Sequence, residues 1–408
     1  MAPFPLNLPQ LLGSPQYFLV YLLIGFAFGA VLEMAGFAVS SKLAAQFYFK
    51  DLTVLKVMFT GIITAMVLVF LASGLGLLDY NLVYVNETYL VPGIVGGLIM
   101  GVGFILGGFC PGTSLVSAAT LKIDGILFAL GAFFGIFLFG ETVGYFEEFW
   151  YSTYMGRITL MDFFGTDTGV IVLAVMIMAL LAFVASEYAE RVIGKQTQKQ
   201  PRWRIGLAGG GIALAVVVLV IGQPTNADRW NRIAADKQPQ LDSRAVYAHP
   251  AEVLHYMADH EIVTMLVDVR SESDYNLFHI RDARNVPYDQ LSTIVEEFHA
   301  LPQNAVVFVM SNDEAEATEA WKYLLAESVV NVYILDGGVN NWITVFGENA
   351  FPSADAALAA DDQLDFQFAM AYGDNHVAAS PHADRFDLTY EEHVVLSIKR
   401  GPASGGCG

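Results

Sequence analysis

The sequence predicts a polytopic α-helical membrane protein of about six spans, followed by a soluble α/β domain with a central parallel sheet. Three observations lead there. Apolar runs at roughly 17–36, 54–78, 90–109, 126–143, 169–189 and 205–221 each approach the ~20 residues a helix needs to cross hydrocarbon. Charge changes sharply near residue 222: the chain before it holds 10 Lys and Arg against 12 Asp and Glu, and the chain after it 11 against 29. Beyond that point, MLVDVR at 265–270 and AVVFVM at 305–310 read as buried parallel strands, each followed by a helical stretch.

With 55% hydrophobic residues, the 408-residue chain is too apolar for one soluble globule, so part of it belongs in lipid. Residues 1–16 carry no positive charge, and the apolar run after them is long enough to span, so we expect a retained membrane segment and no short signal peptide. Lys42, Lys50, Lys56, Lys122, Arg191, Lys195, Lys199, Arg202 and Arg204 fall at same-side connections, which assigns those ends to the cytoplasm. Both termini then lie outside, with the soluble domain extracytoplasmic. A net charge of −20 and the lack of a basic cluster exclude nucleic acid as a partner.

All eight histidines lie between His249 and His393, so the membrane part has no histidine for a proton relay or metal site. The two cysteines, Cys110 and Cys407, are too few for a disulfide scaffold and wrongly spaced for zinc or an iron–sulfur cluster. No metal or cofactor is expected, and the cysteines matter as thiols.

The chain contains one internal repeat. At an offset of 72 residues, Gly25, Gly29, Gly36, Phe37, Leu43 and Lys50 match Gly97, Gly101, Gly108, Phe109, Leu115 and Lys122. Each copy reads as helix, break, short helix, helix. The breaks GFAVSS at 36–41 and GFCPGTS at 108–114 are too polar and glycine-rich to continue a helix in lipid, so both are expected to be re-entrant loops bordering a pathway. Gly36, Ser40 and Ser41 line the first, and Gly108, Cys110, Pro111, Gly112 and Thr113 the second. Pro111 suits the first turn of a helix that begins just past the thiol, whose free N–H groups and positive dipole end favour an anion or a thiolate. Glu33, one turn before the first break, is a costly carboxylate at membrane depth, with Lys42, Lys50 or a loop N–H as its expected partner.

Residues of about 15–145 resemble the YeeE/YedE sulfur-transport family, on the stretches GFAFGAVLEMAGFAVSSKLAAQFYFKDLTVLKVMFTGIITAMV from Gly25 and GVGFILGGFCPGTSLVSAA from Gly101. The resemblance implies a bacterial inner-membrane transporter of thiosulfate or a related sulfur species, with pore cysteines touching the passing sulfur. Only Cys110 matches such a position, and Ala38 stands at its equivalent in the first repeat. Larger members carry more copies of the helical unit. This half-size form therefore points to a homodimer or a second half-size membrane subunit.

The composition divides the chain into a membrane domain at 1–222, a polar linker at 223–244, a soluble domain at 245–350 and a partly ordered extension at 351–408, with one late strand at 393–399. The soluble domain resembles the rhodanese-like fold, on LVDVRSESDYNLFHIRDARNVPYDQL from Leu266 and NVYILDGGVNNW from Asn331. An active rhodanese offers a cysteine after its central strand, cradled by backbone N–H groups. Here that loop reads SNDEAEA, with Ser311 in the cysteine's place, then Asn312, Asp313, Glu314 and Glu316. A serine hydroxyl is a far weaker nucleophile and the carboxylates repel thiosulfate, so sulfurtransferase chemistry is not expected from this loop. The ending GPASGGCG resembles the sulfur-carrying arm of the periplasmic carrier of the Sox system, which makes Cys407 a candidate for capturing or delivering sulfur, including exchange with a soluble carrier protein. Two other roles stay open: a membrane-anchored sulfur carrier or sulfurtransferase accessory using Cys407, and a sulfur sensor that does not transport.

Overall fold

The computed structural model describes residues 2–6, 8–13, 15–83, 85–194, 203–302, 304–347, 351–353, 362–386 and 389–397. They form two units, which divide between Gln223 and Pro224.

The first unit is helical: α1 Leu8–Leu12, α2 Gln16–Met34, α3 Ser40–Ala44, α4 Thr53–Gly74, α5 Leu90–Gly107, α6 Pro111–Ala119, α7 Ile123–Thr142, α8 Glu147–Trp150, α9 Leu160–Phe164, α10 Thr168–Val192 and α11 Trp203–Ile221. Among the described residues, six helical segments are long and apolar enough to cross a membrane, matching the six runs read from the sequence. Helices of 18–25 residues at 1.5 Å rise measure roughly 27–38 Å, against ~30 Å of hydrocarbon. These segments are helical because lipid supplies no partner for an open backbone, so each N–H and C=O must be paired inside the segment. Their outer faces stay apolar, and α2 buries none of its side chains within the unit.

Packing concentrates where α4, α10 and α11 meet, around Ile63, Val67, Val172, Met176, Ala179, Ala215 and Val218. Lys56 in the first turn of α4 pairs with Glu190 near the end of α10 at 2.5 Å, and the other oxygen of Glu190 accepts from Leu52 N at 2.6 Å. That pair is nearly closed to solvent, and it places the start of α4 and the end of α10 on one face.

The second unit opens with α12 Asn226–Asp242, followed by β1 Tyr247–Ala248, α13 Pro250–Ala258, β2 Val263–Asp268, α14 Glu272–Leu277, β3 Arg284–Asn285, α15 Val295–Ala300, β4 Ala305–Met310, α16 Ala315–Ala326, β5 Val332–Leu335 and α17 Gly338–Phe346. The five strands are parallel in the order β1-β5-β4-β2-β3, with β2 and β4 in register from Val263 opposite Ala305 to Asp268 opposite Met310. Central β4 is buried throughout, and its side chains alternate between two cores: Val306, Phe308 and Met310 in one, Val307 and Val309 in the other.

Two stretches differ from their expected form. The supposed linker is helix α12, started by a Thr225–Asp228 capping box and joined to the core that holds α16 through Trp230 and Leu241, with the Trp230 and Trp321 rings 6.0 Å apart. Its polar composition conceals one apolar stripe at helical spacing, which is enough to dock it. The described part of 351–397 is a strap that completes one core with Phe351, Ala378, Ala379 and Val394. Trp342 Nε1 donates to Ala378 O at 2.8 Å, and Glu252 accepts from the N–H groups of His393 and Val394, both at 2.8 Å. Residues 393–397 form no strand, because side chains of Glu252, Tyr333 and Asn331 take their backbone bonds in place of a neighbouring strand. The rest of the expected strand, 398–399, lies outside the described residues.

Candidate functional site

Both helix breaks are present, and they are built alike. Helix α2 ends at Met34, Gly36 turns left-handed at φ +82°, and Phe37 N closes back on Leu32 O at 3.0 Å. Helix α5 ends at Gly107, and Gly108 turns at φ +70°. Glycine is what permits both turns, since a side chain is strained in that region. Phe37 and Phe109, each 1% exposed, share one apolar cluster with Leu43 and Val54. The breaks touch: a Cβ on Gly108 would meet Ser40 at 3.1 Å.

Cys110 is the N-cap of α6, with extended backbone. Its N–H donates to Thr113 Oγ1 at 3.0 Å, Thr113 N–H donates to Cys110 Sγ at 3.5 Å, and Sγ and Oγ1 lie 3.2 Å apart. Pro111 fills the first helical position without an orphan donor. Thr113 is buried, Cys110 is partly exposed, and beyond the adjoining residues and backbone of α6 nothing lies within 4 Å of where a Cβ on Gly112 would stand. Helix α6 folds back along α7, shown by Ser117 against Gly125 and by the Phe109 and Phe128 rings 5.8 Å apart. Nine residues of α6 put Cys110 ~13 Å from that turn, alongside a ~30 Å helix α7.

Glu33 finds a partner in the opposite repeat. Its Oε1 lies 3.6 Å from Lys122 Nζ, and Lys122 also donates to Ala38 O at 3.2 Å. Among the described residues, the buried Oε2 of Glu33 has no hydrogen-bond partner. The expected partner Lys42 instead donates to Ala35 O at 2.7 Å, with its ammonium lying over Gly36. Ser40 donates to Asp124 Oδ2 at 2.9 Å, while Ser41 is exposed. The structure therefore brings Gly36, Ser40, Gly108 and Glu33 around the paired breaks, and adds Lys122 and Asp124. The sequence signal that points to Lys122 is its match with Lys50 in the internal repeat.

In the second unit, Ser311 is fully buried and its hydroxyl accepts from Ala317 N at 3.1 Å. Asp313 accepts from the N–H groups of Glu314, Ala315 and Asp362, and Asp362 accepts from Asp313 N at 3.0 Å and Glu316 N at 2.6 Å. The N–H groups of 313–317 are thus all taken by the chain's own oxygens. Asn312 donates to Asp274 and to Asp362 O, and Glu314 binds Arg244 and Gly337 N. Burial alone would raise the Asp313 carboxyl, but donation from Ala315, Glu314 and Asp362 outweighs it and holds the group below its usual range. Glu316 is pushed up, first by burial and then by Asp362, Asp268, Asp274 and Asp289. An acidic, self-satisfied loop of this kind offers little to an incoming anion. Its lock on Asp362 could not be foreseen, since nothing local marks that residue. Cys407 lies outside the described residues.

Residues 34–231 match the family model described as sulphur transport, and residues 249–344 match that of the rhodanese-like domain. A thiosulfate transporter, TsuA, from Spirochaeta thermophila is 30% identical over 139 residues, which is 33% of this chain and 39% of that protein. The matched stretch thus spans well under half of that relative. No solved structure matches the chain.

Proposed function

We propose that the membrane unit, which matches the sulphur-transport family model and is joined to a rhodanese-like domain, moves thiosulfate or a related sulfane-sulfur anion between its two breaks, which act as re-entrant loops. The observation that carries this reading is Cys110: a partly exposed thiol capping the start of α6, beside open space at Gly112, about midway along α7. The helix start supplies N–H groups and positive potential for the oxyanion end of the substrate, and the thiol contacts its terminal sulfur. Pro111, Thr113 and Gly108 hold that geometry, while Gly36 and Ser40 shape the facing break.

The basic connections then face the cytoplasm of an inner membrane, and the rhodanese-like domain lies outside, where Cys407 captures or hands over sulfur. A homodimer or a second half-size subunit completes the pore, and a soluble sulfur carrier is the natural donor.

Proteoliposomes loaded with the full chain are expected to accumulate radiolabelled thiosulfate, and Cys110→Ala to lower the rate by about tenfold or more. No uptake by the wild type, or equal uptake by the variant, defeats the reading. For sidedness, alkaline phosphatase fused after residue 397 should be active in intact cells; an inactive fusion together with an active cytoplasmic reporter at the same site reverses the assignment.

A further inference from the structure

We propose that Lys122 is a second binding point for the anionic substrate, in addition to the start of α6, with Glu33 as the counter-ion it exchanges as the anion passes; this rests on the transport reading above. A sulfur oxyanion needs a cation in any passage lined by apolar helices, because stripping its hydration uncompensated is prohibitive. Lys56 is committed to Glu190 at 2.5 Å. Lys42 donates to Ala35 O at 2.7 Å within its own break and has no carboxylate within ion-pair distance among the described residues.

Lys122 is held differently. Its ammonium reaches across from the second repeat to the first break, donating to Ala38 O at 3.2 Å, yet stands 3.6 Å from Glu33 Oε1, too far for a hydrogen bond. An ammonium has three donors, so it retains capacity for an incoming oxyanion. Glu33 matches this looseness, since its second oxygen is buried without a partner among the described residues. Both side chains remain partly open, at 35% and 42% exposure. Ala38, which Lys122 grips, is the repeat equivalent of Cys110, and the two breaks meet at Gly108 and Ser40. A loosely paired cation on the first break, which meets the thiol-bearing break at Gly108 and Ser40, can trade one carboxylate for one anion at little electrostatic cost. A rigid brace would show a short contact to a carboxylate with both oxygens occupied, as Lys56 and Glu190 do.

The test is thiosulfate uptake by proteoliposomes of the full chain, read as half-saturation concentration and maximal rate. Lys122→Gln is expected to raise the half-saturation concentration about tenfold, and Lys122→Arg to preserve it within about threefold. Glu33→Gln removes the competitor and is expected to lower the half-saturation concentration about threefold, while the double variant behaves as Lys122→Gln. A half-saturation concentration unchanged in Lys122→Gln overturns the proposal, as does Glu33→Gln weakening uptake as Lys122→Gln does. If Lys122→Gln fails to fold, the Glu33→Gln direction decides alone. Wild-type vesicles without uptake sink the transport reading itself, whereas active wild-type vesicles with an indifferent Lys122 sink only this assignment.

Discussion

Arg270→Ala is expected to destabilise the rhodanese-like unit by about 3–5 kcal/mol. Arg270 and Asp268 are 1% and 0% exposed, and the guanidinium meets both carboxylate oxygens, at 2.9 and 2.5 Å. It also donates to Asn312 Oδ1 at 3.1 Å and Phe278 O at 2.8 Å. Alanine removes the cation and leaves Asp268 as an uncompensated buried charge at the end of β2. Two further oxygens lose a donor, which adds desolvation cost. Hydrogen exchange of β2 and β4 in the full-length protein measures this; protection within about 1 kcal/mol of wild type would show that Asp268 finds other compensation. Replacing both partners, Asp268→Leu with Arg270→Met, should recover much of the loss, since the burial penalty disappears with the charges.

Gly338→Ala is the second large effect, at about 2–4 kcal/mol. Gly338 sits at φ +59°, where a side chain is strained, and an added Cβ would lie 2.0 Å from Asp313 O and 2.6 Å from the carbonyls of Asn312 and Ser311. Those atoms are backbone and cannot swing aside. The loop would have to retreat, breaking the bonds from Val339 N to Ser311 O and Asn340 N to Asn312 O, both 2.9 Å. Exchange of the amides at 311–317 should rise before that of β4. A variant with wild-type exchange in that loop would mean that α17 can shift without disturbing it.

The glycines at the two helix breaks and at the start of α17 were visible in the sequence. GFAVSS and GFCPGTS each place a glycine where a helix must turn left-handed, and DGG at 336–338 places one where α17 presses on a neighbouring loop. The buried strand AVVFVM was equally plain, because six consecutive apolar residues suit a strand covered on both faces. The α12 helix and the strap after Phe351 were not. Their apolar anchors are few and sparsely spaced among polar residues, and in the strap Phe351, Phe366, Phe368, Tyr372 and Phe386 follow no period that a helix or strand would impose.

The sequence by itself determined the six spans, the two breaks and the parallel sheet, because each depends on neighbouring residues: long continuous apolar runs for lipid, glycine for positive φ, and short continuous apolar runs for strands covered on both faces. Only the tertiary structure decided the pairings. Lys122 meets Ala38 across 84 residues, and Asp313 meets Asp362 across 49, while Glu33 takes Lys122 and leaves Lys42 to Ala35 O. Local sequence states which charges exist, but partner choice follows from distances that only the folded chain creates.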